Sequence, residues 1–80
     1  MNQRYLAVFV DAESRDSFKH ELVAIDGVMD AKIIEARSSD IAGFSVIFEA
    51  PIHEEAFLFR WLDAEPNCRT YSRQRTYTIS

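Results

Sequence analysis

The stretch Gly43 to Leu62, GFSVIFEAPIHEEAFLFRWL, constrains this chain more than any other. In its first half Phe44, Val46 and Phe48 alternate with Ser45, Ile47 and Glu49, the two-residue period of a strand with one buried face. Pro51 then suits the first turn of a helix, where its missing N–H would have been unpaired, and Glu54 and Glu55 sit where the helix dipole favours negative charge. Along that helix Phe57, Leu58, Trp61 and Leu62 sweep an arc of about 140°, with Phe59 about 60° further round. One sheet-facing stripe has no need of Phe59, so Phe59 and its neighbour Arg60 mark a candidate contact on the helix flank.

The rest of the chain supplies the partners this unit needs. Tyr5 to Val10 reads as a first, central strand that is apolar on both parities. Asp11 to Ser14 offers turn and capping residues, Asp11 or Ser14 accepting from free N–H groups of a helix over about Ser14 to Ile25. Phe18, Leu22 and Ile25 form its apolar stripe, Arg15, Lys19 and Asp26 stay wet, and Gly27 stops it. Val28 to Ala36 is a second strand, Arg37 to Asp40 a polar connection, and Ile41 to Glu49 the third strand of an antiparallel hairpin. The second helix ends near Ala64, before Pro66. Arg69 to Ile79 reads as an edge strand, or two short strands broken near Gln74, with arginines that discourage edge-to-edge pairing.

This order, strand, helix, strand, strand, helix, strand in one 80-residue domain, predicts an α+β, ferredoxin-like βαββαβ fold. That topology has a four-stranded antiparallel sheet of order 4-1-3-2 with two helices on one face. Gly27 to Ile34, then Gly43 to Pro51 and an alanine-containing helix, resemble an RNA-recognition motif, a ferredoxin-like family. The resemblance implies that Phe44 is a ring on which a single-stranded RNA base stacks. Ala42, Val46 and Glu49 stand where the motif has a basic residue, a second ring and a final aromatic.

Charge bears on partners. Residues 1–65 hold six Lys and Arg against thirteen Asp and Glu, or −7, whereas 66–80 hold Arg69, Arg73 and Arg75 without an acid, or +3, giving the net −4. An acidic body disfavours sequence-independent binding to phosphate backbones, which depends on Lys and Arg. The single cysteine, Cys68, excludes an intramolecular disulfide, and the apolar run Tyr5 to Val10 is too short for a signal segment or membrane span, so a cytoplasmic protein is expected.

Catalytic chemistry finds little support in the residues. His20 and His53 are isolated, no cysteine or histidine spacing fits zinc, and Gly27 and Gly43 alone cannot build a phosphate-cradling loop. The expectation is a non-enzyme without metal or cofactor. Acylphosphatases and amino-acid-binding ACT domains share the fold, but their glycine-bearing loops have no counterpart here. A dimeric α+β barrel enzyme, which pairs two such sheets face to face, is a third reading.

The leading expectation is a small acidic interaction module, a regulator or inhibitor of the kind that phages also encode, binding a partner protein or a second copy. With Leu6, Val8 and Val10 turned to the helices, the open sheet face would carry Tyr5 and Phe9, flanked by Tyr71, Arg73, Arg75 and Tyr77. Tyrosine and arginine are enriched among interface hot spots. The opposite parity, which makes the Tyr5 row core, stays open. The acids Glu13, Asp16 and Glu21 near one helix and Glu54, Glu55, Asp63 and Glu65 along the other could occupy the basic site of a nucleic-acid-binding protein.

Overall fold

A computed structural model describes residues 2–24, 31–39 and 43–74. Its elements run β1 (Asn2–Phe9), α1 (Ala12–Glu21), a 3-10 turn (Leu22–Ala24), β2 (Lys32–Ser39), β3 (Gly43–Pro51), a second 3-10 turn (Ile52–Glu54), α2 (Glu55–Ala64) and β4 (Cys68–Arg73). The sheet order β2-β3-β1-β4 is the expected 4-1-3-2 read from the other edge, and every neighbouring pair is antiparallel. The fold is ferredoxin-like α+β. Both helices press one sheet face: Phe18 and Leu22 from the first, Leu58 and Leu62 from the second, join Tyr5, Ala7, Phe9, Val46, Phe48 and Ala50 in one buried cluster.

The parity of β1 is opposite to the expected one. Tyr5 is 0% and Phe9 1% exposed, inside the helix-covered core, while Leu6 and Val8 are half-buried on the other face and Val10 is exposed. Register explains why. Tyr5 stands opposite Phe48 and Ala7 opposite Val46, and directly paired residues of adjacent strands point to one face. The aromatic alternation of β3 is the stronger one, so it sets the parity of its neighbour. Rings then seal the core: Tyr5 stacks on Phe48 at 5.4 Å, and Phe18 meets Phe9, Phe48 and Trp61 at 5.2, 5.4 and 5.3 Å.

Local chemistry accounts for the element ends. Asp11 caps α1, its Oδ1 accepting from the Ser14 N–H at 2.7 Å. Arg15, expected wet, has a side chain only 13% exposed. It donates to the Arg37 carbonyl and Ser38 Oγ at 2.9 and 2.8 Å and lies 5.8 Å from the Phe44 ring centroid, tying α1 to the β2 edge. Arg37 to Ser39 therefore belong to β2 rather than to a connection, and a register shift between Ile33 and Glu35 leaves Ile34 as the extra, exposed residue of a bulge. Gly43 opens β3 at φ +76°, with the Phe9 carbonyl 3.4 Å from where a Cβ would lie. The expected ends at Ile25, Gly27 and Val28, the start at Ile41, and Arg75 to Ile79 lie outside the described residues.

Candidate functional site

Tyr71 and Arg73 of β4 face the helices. Arg73 and Tyr71 pair with Tyr5 and Ala7 and so lie on the same, helix-covered side. There the Glu55 carboxylate accepts from Arg73 Nε and Nη2 at 2.6 and 2.8 Å and from the Tyr5 hydroxyl at 2.9 Å. The paired guanidinium, aided by the Tyr5 hydroxyl, holds the Glu55 carboxyl below its ordinary range, and burial followed by the Glu55 hydrogen bond pushes the Tyr5 phenol up. Tyr71 donates to Asp63 and packs on Phe59 at 4.8 Å, while Phe59 meets the Tyr5 ring edge-on at 5.6 Å.

This arrangement redistributes the expected contact residues. Tyr5 and Phe9 are core, which corrects their placement on the open face. Phe59 spends its surplus aromatic surface under β4, Tyr71 and Arg73 are committed to Asp63 and Glu55, and Glu54 is buried. Arg60 is exposed on α2, and Arg75 and Tyr77 lie outside the described residues. The open face instead carries Leu6, Val8, Ser45 and Ile47, bordered by Thr70, Ser72 and the Glu35–Arg37 ion pair at 2.8 Å. Ile47 is only 6% exposed, so this face is less apolar than the expected Tyr5 and Phe9 row would have made it.

A different surface gathers charge. A groove of about 330 Å³ runs between α1 and the end of α2. Phe9, Phe18 and Trp61 line its apolar part, and Asp11, Glu13, Glu21 and Glu65 contribute four carboxylates. Among the described residues no lysine or arginine lines it. Among the described residues the ion pairs engage Asp16, Glu35, Glu49, Glu54 and Glu55, and none engages a groove carboxylate. Asp11 is occupied in part by the α1 cap, which lowers its pKa, and Glu65 by the Asn67 N–H at 3.2 Å.

Sequence reading found half of this surface. It placed Glu13 and Glu21 near the first helix and Glu65 along the second. It missed Asp11 as a wall, and Phe18 and Trp61 as groove lining, because their convergence depends on how the two helices sit across the sheet. Asp16, expected with them, is drawn to Arg15 and Lys19 at 3.1 and 4.0 Å.

Other reactive groups are quiet. His20 and His53 are exposed, and among the described residues no three His, Cys, Asp or Glu side chains are grouped to hold a metal ion. Cys68 is half-buried, its Sγ 3.5 Å from the Thr70 carbonyl, and burial pushes its thiol pKa up, away from the reactive thiolate. Among the described residues no helix is long and apolar enough to cross a membrane. No family model, curated protein or solved structure matches this chain.

Proposed function

We propose that this chain is a non-enzymatic interaction module, a small acidic regulator that binds a partner protein through the outer surface of its helix layer. The observation that carries the reading is the groove between α1 and α2, where four carboxylates, none of them in an ion pair among the described residues, line a concave and mainly polar surface beside the half-buried Trp61. A concave surface with one sign of charge around it steers a partner of the opposite sign and fixes how it docks. The helix layer replaces the open sheet face as the contact, because Tyr5, Tyr71 and Arg73, which favoured that face, are turned to the helices.

The test is stoichiometric complex formation. Proteins retained by the immobilised chain from host lysate are purified, and each is mixed with the chain and sized by light scattering. A defined complex that forms at low salt and is weakened by Glu13→Lys with Glu65→Lys is expected. A chain that remains monomeric with every retained protein, or a complex indifferent to those reversals, would remove the reading.

A further inference from the structure

We propose that the open sheet face pairs with the same face of a second copy of the chain, an association separate from the helix-layer contact proposed above. Two rows of side chains cross the middle of that face. The register sets Ser72, Leu6, Ile47 and Glu35 side by side in one row, and Thr70, Val8, Ser45 and Arg37 in the next. Each row runs from a hydroxyl at the β4 edge, through an aliphatic side chain, to a charge at the β2 edge. The two charges have opposite sign.

Rows of this kind are complementary to themselves. A two-fold axis lying in the face between them lays each row on the other row of the second copy. Glu35 then faces Arg37 of the second copy and Arg37 faces its Glu35, while Leu6 lies against Val8 and Ser72 against Thr70. The Arg37 and Glu35 side chains are 63% and 44% exposed and hold each other at 2.8 Å, so the pairing is exchanged across the interface and no charge is left alone. The balance of one acid and one base gives a strongly acidic or basic ligand no advantage here. The rings of Tyr5, Phe9 and Phe48, on which nucleic-acid bases could stack, point to the helices instead.

The face also has the scale of a reversible contact. Its strands are six to nine residues long, and four of them side by side offer roughly 500 Å² in plan on each copy, the range of weak rather than permanent dimers. Ile47 is only 6% exposed, so Leu6 and Val8 supply the apolar area that remains to be covered.

Light scattering of the isolated chain over a series of concentrations tests the pairing. The mass is expected to rise from monomer to dimer as concentration increases. Glu35→Arg and Arg37→Glu, each at an exposed position, set like charges against one another and should each weaken the dimer at least about tenfold. Mixed in equal amounts, the two variants should recover it, because the two arginines of one copy then face the two glutamates of the other. That recovery also shows that both variants are folded.

A chain that is monomeric at every concentration, or a mixture that stays monomeric, would overturn the pairing. A dimer that both reversals leave intact would place the contact at an edge strand or on the helices and overturn it equally. Single-stranded RNA bound by a chain that never dimerises would give the face a different occupant. Glu13→Lys with Glu65→Lys, which tests the helix layer, should leave the dimer unchanged, so partner capture and self-pairing fail separately.

Discussion

Arg73 and Glu55 join the edge strand β4 to the first turn of α2 through two parallel hydrogen bonds, and the Tyr5 hydroxyl from the core donates to the same carboxylate. One glutamate therefore satisfies a buried phenol and anchors the last strand. Tyr5→Phe should destabilise the chain by about 1–2 kcal/mol, since a hydrogen bond to a charged acceptor is lost while the ring still packs. Tyr5→Ala should cost about 3–5 kcal/mol, the range for emptying a buried aromatic site. Urea denaturation measures both. A Tyr5→Ala protein of undiminished stability would mean that Tyr5 lies outside the core.

The same cluster gives stability a pH dependence at both ends. The Glu55 carboxyl is held below its unfolded pKa, mainly by Arg73, so its contribution is complete above the ordinary carboxylate range and is lost as pH falls through the lowered folded value. Tyr5 has the opposite sign. Its phenol is raised by burial and by Glu55, so its contribution is complete below the unfolded value near about 10 and declines as the unfolded chain ionises above it. Urea midpoints should therefore fall below about pH 4.5 and above about pH 10. Glu55→Gln should flatten the acid limb, and Tyr5→Phe the alkaline one.

Phe44 separates the helix-covered face from an RNA-binding one. It lies opposite Phe9, half-buried, with the Arg15 guanidinium over its ring. Phe44→Ala should cost about 2 kcal/mol of stability, less than a fully buried phenylalanine, and leave affinity for single-stranded RNA unchanged. Thermal melts and fluorescence anisotropy with an RNA oligomer read the two effects. A weakened RNA complex with an unaltered melt would restore the stacking role that the motif resemblance implies.

Gly43 occupies a left-handed conformation at the start of β3, close to the Phe9 carbonyl and the Val8 side chain. Gly43→Ala should lower stability by about 1–2 kcal/mol, through the left-handed penalty of a Cβ and its tight approach to that carbonyl. Gly43→Asn should cost less than its size suggests, because asparagine tolerates this region. Chemical denaturation of the two variants gives the comparison.

The amino-acid sequence by itself determined the element order and hence the ferredoxin-like topology. The Asp11 cap and the alternation through Phe44, Val46 and Phe48 are local signals read by backbone geometry alone, whereas Pro51, expected in the first turn of the second helix, closes β3 opposite Asn2, and α2 starts only at Glu55. It also determined the acidic character of the helices, since Glu13, Glu21 and Glu65 need only a helical period or its end to be placed. The parity of β1 was beyond it: Tyr5–Phe9 is apolar on both sides, and only pairing of Tyr5 with Phe48 turns that row inward. That choice moved the candidate site. With Tyr5 inward, Tyr71 and Arg73 follow it and are bound by Asp63 and Glu55, and Phe59 is covered. The groove arises the same way, because Asp11 and Glu21 lie far along the chain from Trp61 and Glu65 and meet them where two helices cross one sheet. Local periodicity assigns each residue a face of its own element, and only register and helix packing decide which faces meet.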